Sequence, residues 1–120
     1  QGDRLWHSMH TCTLFRALDT NDMKILFDAF EMEKFDANTS IFDQGDEGDK
    51  FYLIDSGRCH VTVKDNGGKE VHTLYLGEGD TFGELAIMYG TPRAATVMAV
   101  MDTVCWWIDR DTYRGTLLKE

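Results

Sequence analysis

The chain has 120 residues, of which 42% are apolar and 28% charged, enough for one hydrophobic core but not for two. Its charge is 12 − 21 = −9, which excludes a partner gripped through a nucleic acid backbone, because counterion release needs a basic face. No run of about eighteen apolar residues is present to span a membrane as a helix.

No basic-then-apolar leader opens the chain, and Gln1 in place of Met points to a piece of a longer protein. Cys12, Cys59 and Cys105 are odd in number and irregular in spacing, which is no disulfide framework. Cys59 lies in an alternating segment and Cys105 in an apolar run. Both read as reduced core thiols of a cytoplasmic protein.

In chain order, Leu5, Trp6 and Met9 share one face of a short helix, and Leu14, Phe15 and Leu18 follow on a second short segment. Asp19 or Thr20 is placed to cap a longer helix. There, Met23, Leu26, Phe27 and Phe30 recur at i, i+3, i+4 and i+7 and form one apolar stripe. The pattern then turns to β. Nine of the eleven glycines fall between Gly45 and Gly90, separating short β-branched and aromatic runs.

Strands are expected at 40–42, 51–54, 59–64, 70–76, 95–100 and 103–108. Val61 and Val63 alternate with His60 and Thr62, as in a half-buried strand. Asp65-Asn66-Gly67-Gly68 supplies the left-handed positions of a hairpin turn. Asp109 is placed to cap a final helix over 110–119. The pattern predicts a β-barrel flanked by helices.

One segment breaks the strand pattern: Phe82-Gly83-Glu84-Leu85-Ala86-Ile87-Met88-Tyr89-Gly90-Thr91-Pro92-Arg93-Ala94-Ala95. Residues 84–89 favour a short helix between two glycines. A helix start offers free amides to an anion, and Gly83 lets a ligand approach the backbone. Pro92 stiffens the loop before Arg93, whose planar fork of donors suits a phosphate. A carboxylate beside a phosphate is anomalous unless it serves a neighbouring hydroxyl, since it only accepts hydrogen bonds. A sugar phosphate presents both groups. On spacing alone the plainer reading also stands: Glu84 serves the helix dipole and Arg93 is a surface charge.

This segment, continued through Thr96-Val97, resembles the phosphate-binding cassette of cyclic nucleotide-binding domains. It is most similar to the first such domain of the regulatory subunit of cyclic-AMP-dependent protein kinase. Gln44-Gly45-Asp46-Glu47-Gly48-Asp49-Lys50-Phe51-Tyr52 and Trp107-Ile108-Asp109-Arg110-Asp111-Thr112-Tyr113-Arg114 carry the same likeness, which runs from about Leu14 to the end. The resemblance implies an α+β fold, an antiparallel β-roll or jelly-roll barrel with flanking N- and C-terminal helices and a short helix in the cassette. It implies one domain over 1–120: N-terminal helices at 1–35, barrel at 38–108 with the cassette at 82–97, and the start of a C-terminal helix at 109–120.

It also implies roles. Glu84 would take the ribose 2′-hydroxyl and Arg93 the exocyclic phosphate oxygens. Gly83 and the backbone of Leu85, Ala86, Ala94 and Ala95 would complete the cradle, and Asp49 would orient the arginine. Val61 and Val63 are expected to line the sugar and base. Ala94 stands where domains of cyclic-GMP-dependent kinases often carry Thr, which favours cyclic AMP; a cyclic-GMP-binding domain of such a kinase is the alternative. The partner implied is a protein kinase catalytic subunit, released when Leu85, Tyr89, Ile108 and Tyr113 relay ligand binding to the flanking helices.

Other chemistry finds less support. His7, His10 and Cys12 fit no closed zinc set, and Asp43, Asp46, Glu47 and Asp49 lack the ligand alternation of an EF-hand. No metal and no cofactor are expected. His60 and His72 stand alone on separate strands and no nucleophile–base pair appears, so the chain is not read as an enzyme. A transcription factor of the bacterial cyclic-AMP receptor type would need a basic recognition helix after the barrel, and this piece contains none. Of Trp106 and Trp107, one is expected in the core and the other on the surface or under the terminal helix.

Overall fold

A computed structural model of the chain describes residues 2–118. The N-terminal part is helical: α1 (Asp3–Thr11), a 3-10 turn (Thr13–Phe15) and α2 (Thr20–Ala29). Asp19 Oδ1 accepts from the Asp22 amide at 2.8 Å and starts α2. The stripe turns inward: Met23, Leu26 and Phe30 are buried with Leu5, Met9 and Phe15.

Eight antiparallel strands follow: β1 (Glu31–Phe35), β2 (Thr39–Phe42), β3 (Lys50–Ser56), β4 (Cys59–Lys64), β5 (Glu70–Leu76), β6 (Thr81–Phe82), β7 (Thr96–Ala99) and β8 (Thr103–Asp109). They form two four-stranded sheets, ordered β1-β8-β3-β6 and β2-β7-β4-β5. This is the expected roll of antiparallel strands with flanking helices, but the sheets are not joined into a closed barrel. β1 is a second difference, because the N-terminal helices are expected to reach 35 and the barrel to begin at 38. Glu31 to Phe35 pairs with β8 from Trp107 to Thr103. It is an edge strand, largely polar, so it shows little of the apolar alternation by which a strand is recognised.

β3 lies inside the first sheet and is buried on both faces from Phe51 to Ile54, which is why that run is apolar without alternation. Phe51 and Leu53 join the helices, Ile87 and Ile108 in one cluster. Tyr52 and Ile54 join Cys59, Cys105, Phe82 and Val97 between the sheets. Register pairs Phe51 with Ile108 and Tyr52 with Trp107, so each face continues across β8. Trp106 packs on the helical cluster and Trp107 on the inter-sheet cluster. Both are half-buried, and Trp106 shares its cluster with Tyr113 of the terminal helix, the second of the two places expected for it.

Two turns complete the frame. Asp65 Oδ1 accepts from Gly67 N and Lys69 N, each at 2.9 Å, and so closes the β4–β5 hairpin on itself. Asp109 Oδ1 accepts from Thr112 N at 2.9 Å and starts α4 (Arg110–Leu118). Lys119, where that helix was expected to end, lies outside the described residues.

Candidate functional site

The break in the strand pattern forms α3 (Glu84–Tyr89), bounded by Gly83 at φ 89° and Gly90 at φ 66°. Both angles lie in the left-handed region that glycine enters without strain. The helix closes one side of a cleft whose opposite wall includes Phe42 on β2 and Val61 on β4. Gly83, Glu84, Leu85, Ala86, Arg93, Ala94 and Ala95 all line this one cleft. Val63 is not among the lining residues.

Arg93 is the buried charge of the cleft, 7% exposed. Its main chain is locked into the loop after β2: Gly45 N donates to Arg93 O, and Arg93 N to Asp46 O, each at 2.8 Å. Its Cζ lies 3.9 Å from the centroid of the Phe42 ring, a cation–π contact. Phe42 in turn packs against Phe82 and Tyr52, with ring centroids 5.8 and 6.0 Å away.

Two glycines make room for the guanidinium. A Cβ on Gly48 would lie 2.6 Å from Arg93 Nε, and one on Gly83 would lie 3.0 Å from Nη1 and 2.7 Å from Lys50 O. Nε and Nη1 are buried and have no hydrogen-bond partner among the described residues. Burial pushes the guanidinium pKa down, while Tyr52, Asp49 and Asp46 act in the opposite sense. Buried donors without partners are costly, and an anion in the cleft would satisfy them.

Glu84 is half-buried at the head of α3, and Thr81 Oγ1 donates to its Oε2 at 3.1 Å. Among the amides expected to form the cradle, Ala86 N donates to Gly83 O at 3.2 Å. Asp49, expected to orient the arginine, lies close enough to act on its charge. No ion pair joins the two among the described residues. The Asp49 backbone oxygen accepts from Arg110 N at 2.9 Å.

The residues expected to form the relay differ in burial. A six-residue helix turns one side inward, and here that side is Ala86 and Ile87; Leu85 and Tyr89 are exposed at 51% and 68%. Ile108 and Tyr113 are buried. Polar links tie α4 to its neighbours. Arg110 donates through Nε and Nη2 to Ala86 O at 2.9 and 2.7 Å. Tyr113 OH donates to Leu14 O at 2.6 Å. The sequence reading missed Phe42, Thr81 and Arg110. A hydroxyl three residues before Glu84 was visible; the other two contacts join segments far apart in the chain.

Residues 32–120 match the family model for the cyclic nucleotide-binding domain. The chain is 44% identical over 106 residues to a cAMP-dependent protein kinase regulatory subunit from Candida albicans, covering 88% of this chain and 22% of that protein. It is 40% identical over 117 residues to the corresponding subunit from Dictyostelium discoideum, covering 98% and 36%. It thus spans about a third or less of the length of these curated relatives. Among solved structures, the regulatory domain of Toxoplasma gondii PKA with cAMP superposes with a TM-score of 0.87 at 34% identity, covering 97% of this chain and 44% of that one.

Proposed function

The chain belongs to the cyclic nucleotide-binding domain family, and from that premise we propose that it is the cyclic-AMP-sensing domain of a cAMP-dependent protein kinase regulatory subunit. One observation carries the reading. In a chain of charge −9, a buried guanidinium with two unpartnered N–H groups shares a cleft with a carboxylate. Arg93 takes the phosphate oxygens, exchanging orphaned donors for charge-assisted hydrogen bonds. Glu84 accepts from the ribose 2′-hydroxyl. Gly83 gives the ligand access to the backbone, and the amides of Leu85, Ala86, Ala94 and Ala95 close the cradle. Ala94 after the arginine favours cyclic AMP over cyclic GMP.

The chain acts as one sensing domain. Phosphate binding displaces the Ala86 amide from Gly83 O and tightens α3. The move passes through Ala86 O to Arg110, and through Tyr113 to Leu14, so that α4 and the N-terminal helices respond together. Ligand shifts this equilibrium only by its differential affinity for the two arrangements. The partner that reads the change is a kinase catalytic subunit. The domain performs no catalysis itself and works in the cytoplasm, a compartment that suits its buried free thiols Cys59 and Cys105.

Calorimetric titration with cyclic AMP and cyclic GMP tests this, after unfolding and refolding to strip carried-over nucleotide. The expected result is tight cyclic AMP binding that collapses in Arg93→Lys, which keeps the charge and loses the fork. Preference for cyclic GMP moves the parent to the other kinase class. Binding of neither nucleotide by folded chain refutes the reading.

A further inference from the structure

Glu84 lines two clefts. One is the cleft described above, and the other lies between α3 and the segment around Cys12 and Leu14. Thr81 lines only the second. The Thr81 hydroxyl, which does not line the cleft that holds Arg93, donates to Oε2 of the carboxylate. It is the one side-chain hydrogen bond of Glu84 among the described residues.

The anchor is rigid. Thr81 sits on β6 and pairs with Leu53 of β3, whose side chain is fully buried. Its branched Cβ restricts the side-chain torsion. Gly83, at φ 89°, turns the chain so that residues 81 and 84 face each other across the start of α3. Without this bond the Glu84 carboxylate would be a mobile group on a long side chain, and fixing it would cost entropy when a ligand arrives. A carboxylate has about four acceptor positions, so the Thr81 bond leaves Oε1 entirely available.

We propose that Thr81 is a positioning residue that holds Glu84 for a ribose hydroxyl and so sets the preference of the site for ribo- over 2′-deoxyribo-cyclic nucleotides. This rests on the reading of Glu84 given under Proposed function. Thr81 acts only through Glu84, and Glu84 contributes only where the sugar carries a 2′-hydroxyl. The effect of changing Thr81 must therefore disappear when that hydroxyl is removed.

The experiment titrates cyclic AMP and 2′-deoxy cyclic AMP into the wild-type chain, Thr81→Val and Thr81→Ser, with thermal unfolding of each ligand-free protein. Thr81→Val keeps the shape and loses the donor. It is expected to weaken cyclic AMP about tenfold, the scale of a hydrogen bond to a charged group, and to leave 2′-deoxy cyclic AMP unchanged. Thr81→Ser restores the donor and most of the affinity. If Thr81→Val fails to fold, Thr81→Ala takes its place in the same comparison. Equal losses on both ligands would mean a purely structural role and overturn the proposal, as would no loss on either. A wild-type chain that binds the two ligands equally well overturns the ribose role of Glu84 and Thr81's role with it. A wild-type chain that binds neither sinks the cyclic AMP reading itself.

Discussion

The Arg93 guanidinium is stacked on the Phe42 ring, with Cζ 3.9 Å from the ring centroid, and no carboxylate within ion-pair distance holds it among the described residues. An aromatic face positions a cation without using any of its N–H groups. Nε and Nη1 consequently stay free for an anion. Replacing the face while keeping apolar bulk should loosen the guanidinium. Phe42→Leu is expected to weaken cyclic AMP about tenfold, in line with about 1–2 kcal/mol for a desolvated cation–π contact, whereas Phe42→Trp should bind nearly as wild type. Titration of the three proteins side by side decides the point; equal affinities would remove the ring from the mechanism.

The same burial makes Arg93 a burden on the ligand-free chain. Two buried donors without partners cost more than the ring contact returns. Arg93→Met should therefore abolish nucleotide binding and raise stability by about 1 kcal/mol. Denaturant melts without ligand provide the measurement, and a less stable variant would show that the guanidinium is better satisfied than its geometry indicates.

Gly48 separates space from backbone strain, because its φ does not lie in the left-handed region. Gly48→Ala adds only a Cβ, 2.6 Å from Arg93 Nε. The expected outcome is about tenfold weaker cyclic AMP binding at nearly constant melting temperature, on the usual scale of a displaced charge-assisted contact. Unchanged affinity would indicate that Arg93 shifts aside at no cost.

Asp109 accepts from the Thr112 backbone and side chain, and its carboxyl is held below the usual carboxylate range mainly by those bonds, with help from Lys50. Asp109→Ala removes the cap of α4, at a cost of about 1 kcal/mol. The wild-type contribution is present above the unfolded carboxyl pKa and fades as pH falls through the lower folded value. Denaturation of both proteins at neutral and strongly acid pH should show the gap closing; a constant gap would assign the loss to packing.

At alkaline pH the sign reverses. Burial pushes the Cys59 thiol from 9.0 to about 11 and the Cys105 thiol to about 12. Above pH 9 the unfolded chain releases protons that the folded chain retains, so stability falls by about 1.4 kcal/mol per pH unit for each thiol. The fall begins at pH 9 and continues until each folded pKa is passed. A denaturation series from pH 8 to 11 should show it, with a shallower slope in Cys105→Ala; parallel slopes would count against the thiol as its source.

Much of this architecture is readable from the residues. The i, i+3, i+4, i+7 stripe fixes α2, the Asp65-Asn66-Gly67-Gly68 turn fixes the β4–β5 hairpin, and two glycines bracket α3. β1 escapes because an edge strand bears charge where an internal strand bears apolar side chains. The inward side of α3, Ala86 and Ile87, is not legible because six residues are too few to show which side of a helix faces inward. Glu84 and Arg93 are legible as a pair because a carboxylate beside a phosphate fork is chemically odd. The ring beneath Arg93 is not, since nothing local to Phe42 announces a partner so distant along the chain.

The hairpin closed by Asp65 has a practical consequence. Its turn is satisfied by its own side chain through Gly67 N and Lys69 N, while the neighbouring loop carries the main-chain bonds that seat Arg93. The hairpin meets that loop at its base, where Lys64 and Gln44 exchange two hydrogen bonds. Lengthening the chain at the tip, between Asn66 and Gly67, therefore disturbs the binding machinery far less than one extra residue between Gly45 and Asp46, which would put it out of register. The hairpin tip is the point at which a fluorescent reporter can be spliced into this domain.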